Sequence, residues 1–395
     1  MPSHMLLLTK LLGIGAFLAA CLTPATVNAQ TAESRGDPKF PTRPLEMPSF
    51  SNNTEALHKL RFHWSLINVG TWNTMLQPWL PYEEKVIKTI SKTHFDVLLL
   101  EEVWTDAAKD NIASHPVVKA KYRHHYYVPA QQEPAGCPPP DILPVPNQED
   151  YISCLVGNGV DTKTVEQPAE PIPFECAMLG LGLALATQPC YACLVNTMQG
   201  LDDPFQSIDI CAQGQGVKYS HGGSPGLLIL SKRPLTDVTV VESEAYLIRR
   251  MNIYATVSGV RVGFAHWPRN FLEDISPALA GLQTGALQVD FAEDMIENNP
   301  DVLIGDFNSG PDYQPDGHNW LLESGYQPLF SQQTSCPVQT HASFPQCQED
   351  SLGPRSVDNI YIKNNAGVCL WHTFAEKPVS DHIGVAAFCL LQRGL

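Results

Sequence analysis

Apolar and polar positions change rhythm several times along this chain. Phe62–Thr71 reads as a strand that runs into Trp72-Asn73. Glu83–Lys92 carries apolar side chains at helical spacing, and Asp96–Glu102 is an apolar strand ending in two glutamates. A helix is expected over Asp106–Ser114 and a strand over Arg123–Val128. Strand patterns return at Gly226–Ser231, Val238–Glu242, Met251–Val257 and Val260–Ala265, followed by a helix over Pro277–Asn298. Val302–Gly305, Val357–Ile362, Val368–Phe374 and Gly384–Leu391 complete the strands. Many strands with fewer, separated helices predict two packed sheets with helices outside.

Two regions break that rhythm. Residues 1–29 read as a signal peptide: an apolar stretch Leu11–Leu22 follows Lys10, and Val27-Asn28-Ala29 fits a cleavage site. The stretch is too short to span a membrane. Leu18-Ala19-Ala20-Cys21 offers the alternative of a lipoprotein signal with Cys21 lipidated. Residues 30–58, rich in Pro, Ser and Asn, read as a linker, which leaves 59–395 as the folded domain. Inside it, residues 129–217 read as an insertion with many prolines and six cysteines. Its apolar run Ala177–Thr187 is expected to form a small core helix, the alternative being a patch for peripheral membrane contact.

The cysteines sharpen this picture. Setting Cys21 aside leaves 10 of the 11, an even number, and export favours disulfides over thiol chemistry. Cys190 and Cys193 therefore read as structural, although their spacing could also suit a redox pair. Cys336 and Cys347 are near enough in sequence to close one loop. The formal charge of −16, with no evident Lys/Arg cluster, argues against tight nucleic-acid binding. Divalent ions could offset that repulsion, so a nuclease is not excluded. The expected location is secreted or periplasmic.

The chemistry gathers at strand ends. Glu102 is placed where a metal-binding carboxylate would sit, and a hard cation such as Mg²⁺ wants oxygen ligands. Glu101 is the alternative, because strand alternation lets only one of the pair face a given side. Asn73 ends another strand and could donate to a phosphate or steady a metal ligand. His266 follows Val260–Ala265 and could stabilise charge on a phosphate. Asp306 and Asn308, in Gly305-Asp306-Phe307-Asn308, would project to one side if the chain stays extended. Asp381-His382 sets an imidazole suited to taking a proton from water beside a carboxylate. Asp358, from a neighbouring strand, is the candidate to orient it.

In order, Trp72-Asn73, Leu98-Leu99-Leu100-Glu101-Glu102-Val103, Gly222-Gly223 before Leu227–Leu235, His266, Gly305–Asn308, Val357-Asp358 and Ser380-Asp381-His382 resemble the endonuclease/exonuclease/phosphatase (DNase I-like) superfamily. The secretion signal and the Gly-Gly before Leu-Ser-Lys-Arg-Pro-Leu are most similar to its sphingomyelinase C branch. The resemblance implies an α/β (α+β) four-layered sandwich and Mg²⁺-dependent phosphoester hydrolysis, with Mn²⁺ or Ca²⁺ as alternatives. It implies that Glu102, supported by Asn73, holds the metal, and that Asp381 supports His382 or a second metal. His266 and Asn308 would contact the scissile phosphate, Asp306 would position water, and His382 would be the base oriented by Asp358. The expected substrate is a phosphodiester, with a lipid headgroup such as sphingomyelin's ahead of nucleic acid. A nuclease and a phosphatase of the same fold are the alternatives.

Overall fold

A computed structural model of the chain describes residues 64–76, 82–138, 148–163, 173–243, 247–269, 288–336, 354–375 and 379–392. The expected signal peptide, Cys21, the linker and the first part of the 277–298 helix lie outside these residues.

In chain order the strands are β1 (Trp64–Leu76), β2 (Val97–Val103), β3 (His124–Tyr126), β4 (Pro134–Ala135), β5 (Gly216–Val217), β6 (Leu228–Ser231) and β7 (Thr236–Ser243). They continue with β8 (Arg250–Val257), β9 (Val260–His266), β10 (Val302–Asp306), β11 (Tyr326–Pro328), β12 (Asp358–Lys363), β13 (Gly367–Phe374) and β14 (Gly384–Gln392). The helices are α1 (Glu83–Ile90), α2 (Asp106–Ser114), α3 (Pro116–Lys121), α4 (Gln148–Gly157), α5 (Phe174–Ala186), α6 (Gln188–Met198), α7 (Gln206–Ala212), α8 (Gln288–Asn298) and α9 (Asp316–Glu323).

Two six-stranded sheets form the frame, ordered β13-β14-β1-β2-β6-β3 and β11-β12-β10-β9-β8-β7. Each holds one parallel pair, β1 with β2 and β9 with β10, among antiparallel neighbours. Strand alternation explains the layering. In β2, Val97 and Leu99 enter the core between the sheets with Ile229, Ile253, Phe264, Val302 and Ile360. Leu98 and Leu100 face the other way, under Val86 of α1 and Ile112 of α2. On the far side Tyr254 and Leu303 pack against Phe291 and Met295 of α8 and Leu321 of α9. Each such side chain contributes roughly 1.5–3 kcal/mol when fully buried. The four-layered α/β sandwich expected from the sequence is therefore the fold.

The Cys-rich residues have their own small core, with Ile152, Leu155, Leu183, Leu194 and Met198 at its centre. All six cysteines pair among themselves, as Cys137–Cys190, Cys154–Cys176 and Cys193–Cys211. Cys190 and Cys193 thus staple different partners, the structural role expected of them. The apolar run lies in α5. Cys369–Cys389 ties β13 to β14 in register. Cys336 is disulfide-bonded, while Cys347 lies outside the described residues. Among the described residues no helix is long and apolar enough to cross a membrane.

Candidate active site

The site lies where strand ends from both sheets meet. The parallel pairs bring Asn73 of β1 beside the end of β2, and set His266, the last residue of β9, level with Asp306, the last of β10. Antiparallel β12 starts opposite, with Asp358 level with Asp306. Gly305 permits the approach, because a Cβ there would stand 2.0 Å from the carbonyl oxygen of Ala265.

Asn73 joins the sheets. Its Nδ2 donates to Glu102 Oε1 and to Asp306 Oδ2, each at 3.1 Å. Glu102 adopts φ +58°, an unusual conformation for a side chain of this kind, which aims it away from its neighbour. Glu101 is fully buried and accepts hydrogen bonds from Thr71 Oγ1 and from the Asp306 amide. The two glutamates therefore take different places: Glu102 is tied to Asn73, while Glu101 is held by Thr71 and the Asp306 amide.

His382 Nδ1 lies 2.7 Å from Asp358 Oδ2 and 3.9 Å from Asp306 Oδ2. On the other side of Asp306, His266 Nε2 is 3.6 Å from the same oxygen. Backbone contacts fix His382: its amide donates to Ser380 Oγ, which donates to the carbonyl of Asn73, and Trp72 Nε1 donates to the carbonyl of His382. The Asp358 amide donates to Thr334 Oγ1.

Asn308 departs from the extended geometry on which its sequence reading rested. The chain turns at φ +45°, the Asn308 amide donates to Asp306 Oδ1, and its side-chain Nδ2 donates to the carbonyl of Trp267. A turn after β10 satisfies backbone and side chain together, and this replaces projection from one strand face.

Burial and charge shape the ionisation. Burial disfavours the His382 imidazolium, but Asp358, Asp381 and Asp306 outweigh it and hold the pKa well above the usual histidine value. His266 is held well below, first by burial and then by the charge of Arg250. Asp306 is lowered, because its histidine neighbours and hydrogen bonds overcome burial. Asp358 is raised, mainly by burial, which the neighbouring His382 offsets only in part. Burial and the nearby Asp381 carboxylate push Glu102 up to about 7.

The donor set is rich in carboxylate oxygen, and crowding that raises Glu102 suits a hard divalent cation, whose charge would offset it. Asp306, Asp358 and His382 also offer ligand atoms within 4.8 Å of one another. The 2.7 Å contact between His382 and Asp358 already occupies that His382 nitrogen, and Glu102 lies beside the same group through Asn73.

Sequence reading missed the wall behind His266. Trp104 stacks on His221 at 4.3 Å, Arg250 lies 5.6 Å from the Trp104 ring, and Arg249 Nη1 donates to the carbonyls of Pro129 and Gly223. Arg249 thereby ties the start of the Cys-rich residues to Gly223. Trp104 directly follows β2 and Arg250 opens β8, but their contact is between elements far apart in sequence, so only the fold reveals it.

The sequence profile of the endonuclease/exonuclease/phosphatase family matches residues 70–382, and the chain belongs to that family. No curated protein matches the chain. Among solved structures it is similar to an endonuclease/exonuclease/phosphatase from Beutenbergia cavernae, at 15% identity over 83% of this chain and 72% of the other, TM-score 0.44. It is also similar to SmcL, at 13% identity over 82% and 99%, TM-score 0.42. A third is a 3′-5′ exonuclease from Neisseria meningitidis, at 17% identity over 81% and 98%, TM-score 0.39.

Proposed function

We propose that this protein is a divalent-metal-dependent phosphodiesterase in which His382 activates the attacking water. The observation that carries this reading is the 2.7 Å contact between His382 Nδ1 and Asp358 beside an Asp306 that Asn73 ties to Glu102. With Nδ1 held by Asp358, Nε2 is the nitrogen left to take a proton from water. Asp306 orients that water, and His266 and Asn308 face the phosphate oxygens. Glu102, steadied by Asn73, holds Mg²⁺, or Mn²⁺ or Ca²⁺ in its place, with Asp381 supporting His382 or a second ion. Bound there, the cation supplies charge neutralisation at the phosphoryl group.

The substrate class we put first is a phospholipid. It is supported by the net charge of −16, which opposes a polyanion, and by exposed Leu370 and Trp371 on β13 and Met178 on α5. The disulfides support export, with cleavage near Ala29 as the first reading and lipidation of Cys21 as the second. Residues 129–217 act as an insertion that shapes the substrate approach. The test is a Mg²⁺-supplemented screen over sphingomyelin, phosphatidylcholine, DNA and RNA. Release of a phosphorylated headgroup is the expected result, and release of nucleotides alone would replace the lipid reading with a nuclease.

A further inference from the structure

Arg250, the first residue of β8, is buried and is brought to the catalytic rim from two directions. β8 pairs with β9 as Asn252 with Ala265, so the register carries Arg250 just past the level of His266, the last residue of β9. From the other sheet, Trp104 follows Glu102 by two residues, and its ring centre lies 5.6 Å from the Arg250 guanidinium carbon. That indole is held in place. His221 stacks on it at 4.3 Å, its ring centre is 6.3 Å from that of His266, and a Cβ on Gly226 would stand 2.7 Å from it. Arg250 is thus packed against the strand ends that carry Glu102 and His266.

Its charge reaches groups on both. Burial first, and Arg250 second, hold His266 well below the usual histidine value and push His221 down to about 3. Burial and Asp381 raise Glu102, and Arg250 is among the groups that oppose the rise. Near pH 7 both histidines are therefore neutral, while the guanidinium is a cation that does not titrate. This corner also offers donors. Among the described residues, Trp104 Nε1 and His266 Nδ1 are buried with no hydrogen-bond partner. An indole N–H and a guanidinium can only donate, so what complements them is an acceptor. A non-bridging phosphate oxygen is such an acceptor and carries negative charge, and arginine meets it with directed, charge-assisted hydrogen bonds.

We propose that Arg250 is a further catalytic residue, donating to a non-bridging oxygen of the scissile phosphate and stabilising the charge that gathers there during attack. This assignment rests on the phosphodiesterase reading above. The guanidinium keeps its proton throughout, so His382 still takes the proton from water, and Arg250 supplies charge and direction alone. A phosphodiester has two non-bridging oxygens. With Arg250 on one and the rest of the rim on the other, sulfur in place of either oxygen is penalised. Without Arg250, sulfur can take the vacated place.

Turnover of bis-p-nitrophenyl phosphate and of its phosphorothioate analogue is measured with Mg²⁺ for wild type, Arg250→Met and Arg250→Lys. Binding of inorganic phosphate to the same proteins is measured by calorimetry, and thermal unfolding shows that each is folded. Arg250→Met should lower kcat by roughly 10²–10³-fold, and Arg250→Lys should recover about tenfold of that loss. The oxygen-to-sulfur rate ratio should shrink in Arg250→Met, whereas a merely structural loss would lower both rates alike and leave the ratio unchanged. Inorganic phosphate should bind roughly tenfold more weakly to Arg250→Met than to wild type. Arg250→Lys carries the same comparison if Arg250→Met does not fold. An unchanged ratio in the folded variant, or phosphate binding equal to that of wild type, overturns the proposal. Absence of turnover in wild type, with phosphate binding that still depends on Arg250, would count against the catalytic reading and uphold the phosphate contact.

Discussion

The catalytic rim and the Cys-rich residues solve opposite problems. At the rim, Glu101, Asp306, Asp358, His266 and His382 are all buried, an arrangement that opposes folding unless other groups compensate. The compensation comes from the sandwich, whose apolar layers hold both sheets rigid, and from hydrogen bonds such as Asn73 to Asp306 that cross between them. The Cys-rich residues carry few buried charges and a small core, and three disulfides staple their helices. Charge is buried where the packed layers are largest, and crosslinks reinforce the smaller core.

This contrast can be broken most sharply at His382. His382→Ala should lower turnover by roughly 10²–10⁴-fold with little change in thermal unfolding, as assayed by kinetics and calorimetry. An unchanged rate would mean that the rim is scaffold only.

Removing Cys193–Cys211 by a Cys193→Ser and Cys211→Ser double variant probes the other side. It should destabilise that region by about 2–4 kcal/mol, read by proteolysis and hydrogen exchange, while turnover of bis-p-nitrophenyl phosphate persists. Equal loss at the rim would show that the two regions fold as one unit.

Asp358→Asn tests the electrostatics. Asp358 raises the His382 pKa, and the neutral imidazole is the active form, so wild-type activity rises as pH increases through that pKa. Removing the carboxylate should move this limb to lower pH and reduce the plateau. A limb that stays in place would remove His382 from the role of base.

The smallest effect is expected at Glu101. Glu101→Gln keeps an acceptor for Thr71 and for the Asp306 amide, so turnover should stay within a few-fold, whereas Glu101→Ala should lower it further. Steady-state kinetics on both variants separate the two outcomes.

Much of the site was legible in the sequence because its residues end strands, and a strand end is a local signal. His266, Asp306 and Asp358 are found at such ends and Asp381-His382 just before one, whereas Asn73 lies inside β1, which runs on to Leu76. What failed was non-local or depended on one dihedral. Strand alternation could not place Glu101 and Glu102 relative to one another, because Glu102 adopts a positive φ that breaks the alternation. Asn308 needed a turn that an extended reading could not supply. Trp104 and Arg250 join the rim through contacts that no short motif records.

The most direct test of the central claim is metal add-back. The protein is stripped with chelator, dialysed, and assayed on bis-p-nitrophenyl phosphate as Mg²⁺ is restored, alongside His382→Ala. The account predicts no turnover without metal, recovery with Mg²⁺ in wild type, and little recovery in the variant. Full turnover by the stripped wild-type protein, or full recovery by His382→Ala, would contradict it.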